Sequence, residues 1–524
     1  MEKYLIYSFS GELDDISHLF PNERLAHIAS IINALGKEVA IWDRGNIDTL
    51  IAYGAEKIKE FGDLAFEDLS DDYLSLVEKE ASKIIEGGFG MIFLNLWQGS
   101  GFKFSMDLAE FLKTKSDVKI YGIGQKVDWF KEDILKIAPY IDGLILGLGF
   151  EAIERMMAGE KVETIPNLIL RAKGGDLVFT LREAVTNINT LPLPIYNSRI
   201  YTGIGGKIPL YHIALSNQAC PGRCTFCERP ENYGRKIVRR DINMVIDELR
   251  YLMDSCNARY FRIADSTPPP QSLTELAKAI ISSGLHKKGI HLSAFSRIDI
   301  NRKEDFPVLK KAGFETLFFG IESLDNGNLE RINKCITYTD IKTTLEEACK
   351  ADLFVVGSFI FPIPGETKKS MENTLTRLNE IKKYLNSALL QPAGVYPSTD
   401  WGRNPKKYGI LLSPDYVKEA LIYPIKLLIP MRFWTPFPFT YRIMEKEAED
   451  VKFEDIILVF EQFYKAVRTE IGIPGIQDYG LLIAKMLKKD PLEFTNESIK
   501  YMVTRDYAKI KQIVEETQRG LSCQ

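Results

Sequence analysis

Most of this 524-residue chain alternates short apolar runs with stretches of helical period, and it does so in two separate series. Such alternation constrains the fold strongly. A strand that is followed by a helix and then by another strand is carried back parallel, and parallel sheets are covered on both faces. The first series has strand-like runs at Tyr4–Ser8, Val39–Trp42, Met91–Leu96, Lys119–Ile123 and Gly143–Leu146, with helical patterns at 24–35, 74–86, 105–114 and 132–138. The second has runs at His212–Ser216, Tyr260–Ala264, His291–Ala294, Thr316–Gly320, Phe354–Phe361 and Leu389–Val395, again with helices predicted between them. The expected class is α/β: an open parallel sheet over 1–155, then a parallel barrel or part of one over 206–400.

The remaining pieces read differently. Residues 156–205 are expected to be a linker, with a hairpin of Asn167–Arg171 and Leu177–Leu181 followed by Leu191-Pro192-Leu193-Pro194. Residues 401–524 are expected to form a mainly helical domain, with helices near 453–470, 478–488 and 505–517 after aromatic pieces at Tyr396–Trp401 and Trp434–Tyr441. Trp401, Trp434, Phe437 and Tyr441 would shape a substrate pocket, although such a cluster is more often a packed cap.

Just after the first strand of the second series stand Cys220, Cys224 and Cys227, and no cysteine precedes them. Three thiolates on one loop are one ligand short of closing a zinc site or a cubane cluster. Zinc loops usually pair two such elements, whereas Cys256, Cys335, Cys349 and Cys523 are scattered singly. Iron–sulfur ligation is the other option, and it would leave one iron open. Reactive groups of a parallel barrel lie at the carboxyl ends of its strands, where Asp265, Arg297, Glu322 and Pro364-Gly365-Glu366-Thr367 also fall.

Composition excludes several classes. The net charge is −4 with no long block of like charge, so no nucleic-acid tail is expected. No run reaches the ~18 apolar residues of a membrane span, and the N-terminus lacks a secretory leader's pattern. Seven cysteines, three of them clustered, do not read as a disulfide framework, so the chain is expected in the cytoplasm.

Around the cysteines the sequence resembles the radical S-adenosylmethionine (radical SAM) superfamily. Its CxxxCxxC loop matches Cys220–Cys227 with Phe226 before the last cysteine, and its "GIES" strand end matches Gly320-Ile321-Glu322-Ser323 with Leu329 and Lys334 behind it. Its "PGET" strand is similar to Phe359–Thr367. The resemblance covers about 206–400 and implies a partial (β/α)6 barrel, with Cys220, Cys224 and Cys227 holding a 4Fe-4S cluster. It further implies that Phe226, Asp265, Ser266, Arg297, Glu322, Ser323 and Pro364 contact S-adenosylmethionine (SAM), with Arg297 suited to its carboxylate and Glu322 to its amino group or ribose.

A Rossmann-like (flavodoxin-like) domain directly ahead of such a barrel resembles the cobalamin-binding subfamily, whose "LPxP" linker matches Leu191–Pro194. The cobalamin contacts this implies are Ser8, Asn95, Trp97, Gln98, Gly99, Gly122, Gln125, Gly147 and Gly149. No Asp-x-His-x-x-Gly occurs, so Trp97 is expected to cap the corrin without ligating cobalt.

The function this implies is a cobalamin-dependent radical SAM methyltransferase. A 5′-deoxyadenosyl radical would remove hydrogen from an unactivated carbon, and methylcobalamin would deliver the methyl group. A non-methylating rearrangement, cyclisation or oxidation is the alternative within the subfamily, and a cofactor-free front module that binds a partner or peptide is the alternative outside it. A non-catalytic zinc scaffold is a third. Methylthiotransferases are expected to carry N-terminal cluster cysteines, and residues 1–219 contain none. The substrate could be a small molecule, peptide, tetrapyrrole or lipid, and a flavodoxin or ferredoxin is the expected electron donor.

Overall fold

Strand pairing separates the chain into two large sheets, as the two series predict. The structure is a computed structural model and describes residues 2–11, 21–44, 71–202, 210–391, 393–412, 414–422, 441–443, 453–467, 477–504 and 506–520. Trp434, Phe437 and Cys523 lie outside the described residues.

The front sheet contains β1 (Lys3–Ser8), β2 (Glu38–Asp43), β3 (Phe89–Asn95), β4 (Lys119–Ile123) and β5 (Gly143–Ile145). All five are mutually parallel, in the spatial order β2-β1-β3-β4-β5. The chain leaves β1 to one side for β2 and returns to the other for β3. The loops after β1 and β3 therefore splay apart, which opens a crevice at the carboxyl edge. Five of the six β1 residues are buried, as befits a strand covered on both faces. The helix Glu23–Ala34 starts where Asn22 accepts from the Arg24 and Leu25 amides at 3.0 and 3.4 Å.

Residues expected to be connective extend this sheet at both edges. The hairpin of β6 (Leu168–Arg171) and β7 (Leu177–Phe179) adds antiparallel to β5, and β8 (Tyr201–Thr202) adds parallel to β2. A two-residue strand carries no readable period. Only its partner reveals it.

The second sheet runs β9 (Tyr211–Ile213), β10 (Tyr260–Ile263), β11 (His291–Ser296), β12 (Phe314–Glu322), β13 (Phe354–Ile360) and β14 (Ser387–Gln391). These six strands are parallel and pair in sequence order, with β9 and β14 as unjoined edges, so the barrel is partial. Phe261, Leu292, Leu317 and Val355 face the core shared with the crossover helices. Alternate residues such as Tyr260, Arg262, Phe295 and Phe318 face inward. Against that inner face lies the helix Asp478–Met486, expected near 478–488, which packs Tyr479, Leu482 and Ile483 around Tyr260. The C-terminal region also carries a small antiparallel pair, β15 (Ile410–Leu412) with β16 (Tyr441–Ile443). No helix of the described residues is long and apolar enough to cross a membrane.

Candidate functional site

The cysteine loop leaves β9 and is fastened from several directions. Cys220 N–H donates to Gly234 O at 3.2 Å, Thr225 N–H to Ile332 O at 3.0 Å and Cys227 N–H to Cys224 O at 3.2 Å. Arg235 and Asn333 side chains donate to the carbonyls of Gly222 and Arg223, both at 2.9 Å. A Cβ on Gly222 would stand 3.2 Å from Cys220 Sγ, 4.0 Å from Cys224 Sγ and 3.1 Å from Arg297 Nη1. Glycine thus keeps open the space beside two sulfurs.

Electrostatics suit a thiolate-held group. Burial pushes the Cys224 and Cys227 thiols up, and the cations of Lys334 and Arg297 oppose that rise at Cys224. Metal binding must therefore displace protons here. Among the described residues, no three His, Cys, Asp or Glu side chains converge as the ligands of one metal ion would. A cubane offers each thiolate its own iron, so its ligands stand further apart than those around a single zinc. Three thiolates on one loop are a donor set of the kind that holds an iron–sulfur cluster.

The expected SAM contacts are placed unevenly. Glu322 ends β12 at a φ of 71°, and one of its oxygens accepts from buried Lys334 at 2.9 Å, leaving the other for a ligand. Ser266 Oγ is buried without a partner, which is how a ligand contact looks when the ligand is left out. Ser323 is buried beside Glu322, its hydroxyl accepting from the Asp325 amide at 3.1 Å. Three of the expected residues are engaged by the protein itself. Asp265 is fully buried, with one oxygen accepting from the Leu215 amide at 2.6 Å and the other from the Ser216 hydroxyl. It ties β10 to the start of the cysteine loop, with both oxygens engaged by the protein's own donors. Arg297 cannot clamp a carboxylate through Nε and Nη2, because Asp299 takes both at 2.8 and 2.9 Å. Only Nη1 points toward the loop. Phe226 is partly buried and packs on Trp401, ring centres 5.9 Å apart, against the core under the loop. Pro364 is buried, its carbonyl turned toward Arg331 at 3.5 Å.

A cavity of about 350 Å³ joins the two sheets. From the front sheet it is lined by Ser8, Asn95, Trp97, Gly124 and Gln125, and from the barrel by Ser216, Gln218 and Ala264. Ser8 Oγ accepts from Asn95 Nδ2 at 3.0 Å and from Trp97 Nε1 at 3.1 Å, which sets the indole across the crevice between β1 and β3. A Cβ on Gly124 would lie 2.6 Å from Asn95 Oδ1, so only glycine allows this turn. The other expected contacts are elsewhere. Gln98 Nε2 and the Gly99 amide donate to the carbonyls of Ala420 and Leu421 at 2.7 and 2.9 Å, docking the C-terminal region. Gly122 is packed between Leu96 and Leu144. Gly147 faces Asn232, and its amide donates to Asp128 at 2.8 Å; Gly149 packs on Ile145. At these five positions the residue serves packing.

Sequence reasoning missed Arg262, His212 and Asp478, which no motif marks. It also missed a basic bowl of about 1000 Å³ on the outer face of the cysteine loop. Cys224 and Cys227 line it, and five cations (Arg223, Arg235, Arg331, Arg403 and Lys407) outnumber the carboxylates of Glu231, Glu330 and Asp400. Arg223, Arg235 and Arg331 pair with no carboxylate among the ion pairs of the described residues.

Comparison with known proteins agrees with this layout. Residues 216–378 match the radical SAM superfamily. A protein of Pyrococcus horikoshii named as an uncharacterized methyltransferase is 24% identical over 58% of this chain and 67% of its own. The anaerobic magnesium-protoporphyrin IX monomethyl ester cyclase of Cereibacter sphaeroides is 25% identical over 62% of this chain, which spans only 55% of that relative. Among solved structures, the radical SAM methyltransferase TsrM from Kitasatospora setae, with cobalamin and a [4Fe-4S] cluster bound, superposes with a TM-score of 0.66. That match covers 98% of this chain and 100% of the other at 13% identity, a likeness of fold.

Proposed function

Because residues 216–378 match the radical SAM superfamily, we propose that this chain is a cobalamin-dependent radical SAM enzyme that methylates an unactivated carbon. The observation that carries this reading is the cavity shared by the front-sheet crevice and the barrel mouth, lined by Gln218 and Arg229 on either side of the cysteine loop. When bound, a [4Fe-4S] cluster with SAM supplies a 5′-deoxyadenosyl radical, and methylcobalamin supplies the methyl group.

The chain's own residues hold and orient. Cys220, Cys224 and Cys227 would ligate the cluster, and Lys334 and Arg297 would offset its charge. The unpartnered Ser266 hydroxyl and the second oxygen of Glu322 would receive SAM. Trp97, fixed by Ser8, would lie against the corrin, with Asn95 and Gln125 beside it. His27 also lines the cavity, but its ring is engaged by Glu23 at 3.5 Å and by Pro192 O at 3.2 Å.

Electrons would enter through the basic bowl, from an acidic carrier such as a flavodoxin or ferredoxin. The described cysteines are all unpaired, in keeping with a cytoplasmic protein. Anaerobically reconstituted protein should show both corrin and cluster absorbance, and should release 5′-deoxyadenosine under dithionite. A cluster spectrum without corrin bands would sink the cobalamin half. The likeness to a cyclase keeps ring closure as the second reading, and product mass separates the two, since only methylation adds a methylene.

A further inference from the structure

One wall of the shared cavity has no role in that proposal. Opposite Trp97, the wall comes from β9, β10 and β11, and two of its polar groups are His212 and Arg262. These are register partners on adjacent parallel strands, so their side chains leave the sheet together on the inner face.

Arg262 is held from three sides. Its Nε and Nη2 donate to Asp478 Oδ2 and Oδ1 at 2.8 and 3.0 Å, and Asp478 is fully buried. Its guanidinium carbon lies 4.4 Å from the Phe295 ring centre and 5.2 Å from that of Tyr479. A guanidinium has five N–H donors, so the pair with Asp478 leaves Nη1 unspent, and no hydrogen bond to it occurs among the described residues. A planar fork immobilised in this way loses little freedom when it meets a second acceptor. His212 lies beside it, and burial together with the Arg262 cation pushes its imidazole down to about 4. The ring is therefore neutral near pH 7 and can donate one N–H without adding charge.

Two carboxylates, Glu23 and Asp43, and further cations, Arg24, Arg229 and Arg240 among them, also line the cavity, and Asp43 accepts from the Tyr201 hydroxyl at 2.7 Å. Arg240 donates to buried Glu248 at 2.6 Å and to Ala214 O at 3.0 Å, while Glu23 faces His27. From β9 and β10 themselves, an incoming group meets the N–H donors of His212 and Arg262.

We propose that Arg262 and His212 anchor the substrate through an oxyanion, a carboxylate or a phosphate, with the rest of the molecule extending toward Trp97. An oxyanion can accept from both residues at once, whereas a neutral amide offers one oxygen and lacks the charge that strengthens such bonds. This rests on the cavity being the reaction chamber.

The test is anaerobic calorimetric titration of the full chain, reconstituted with cluster and corrin, at constant ionic strength. The probes are inorganic phosphate, propionate and propionamide. One of the two anions should bind saturably in the millimolar range, at least tenfold more tightly than propionamide, and which one leads distinguishes a phosphorylated substrate from a carboxylic acid. Arg262→Gln should weaken that binding at least tenfold and His212→Gln about threefold. His212→Gln leaves the Arg262–Asp478 pair intact, so it carries the test if Arg262→Gln does not fold. Absence of saturable anion binding, equal binding of propionamide, or unchanged affinity in His212→Gln would each overturn the anchor. Corrin absorbance and SAM cleavage on the same preparation report separately on the cofactors: their loss with anion binding intact would retire the cofactor reading alone.

Discussion

The two parallel sheets make their sites by opposite means. The front sheet creates space through strand order: the reversal at β1 separates two loops, and Ser8 and Trp97 reach into the gap. The barrel keeps its strands in sequence order and creates space by curling, so its site is a lumen whose base is set by a distant helix, Asp478–Met486. A site at a switch point is built from loops next to the strands that make it, while a lumen admits residues from anywhere in the chain. The first should tolerate loss of a single contact. The second should depend on paired charges.

The largest expected effect breaks one site and spares the other. Cys224→Ala should lower SAM cleavage by more than about a thousandfold, as removal of one member of a unit does, while corrin absorbance persists. Loss of corrin in the same variant would show that the two sites do not form independently.

Next is the buried pair under the cysteine loop. Lys334 and Glu322 have side chains only 6% and 10% exposed. Lys334→Met strands a carboxylate and should cost about 3–5 kcal/mol in the barrel's denaturant unfolding, much of it recovered when Glu322→Gln is added. No recovery would mean that the pair does more than cancel its own burial.

On the front sheet, Trp97→Ala should weaken corrin retention by about tenfold and leave SAM cleavage unchanged under dithionite. On the outer face, joint Arg223→Glu and Arg235→Glu should slow cluster reduction by an acidic flavodoxin about tenfold, with the dithionite rate unaffected. A difference that survives high salt would argue against electrostatic docking.

The smallest effect concerns Asp128, which holds the Gly147 loop. Burial raises its carboxyl from 3.8 to about 7, and one oxygen has no partner. The folded chain keeps this proton where the unfolded chain has released it, so the stability it contributes is full below about pH 4 and declines as pH rises toward 7. Asp128→Asn should raise stability at pH 8 by about 1–2 kcal/mol and flatten the thermal midpoint between pH 4 and 8. An unchanged pH profile would place the proton elsewhere.

Much of this could be read before any coordinates. The cysteine spacing is local, and the strand–helix periods survive because each strand is longer than one repeat of its pattern. The expected contacts that the protein's own groups engage share a cause. Asp265 and Arg297 have the right chemistry at the right strand ends, but Ser216 and Asp299 had already claimed them. Gln98, Gly99 and Gly122 sit in glycine-bearing loops that serve packing as readily as binding.

By itself the sequence determined the class of both sheets, the three thiolates and the vacancy they leave, because spacing along the chain sets what a single loop or strand can present. Tertiary structure alone decided which strand ends share a cavity and which polar groups are already spent. Only there do residues such as Arg262 and Asp478, separated by 216 positions, meet at 2.8 Å. Hydrogen bonds are saturable, and whether one is still available depends on neighbours that sequence distance does not reveal.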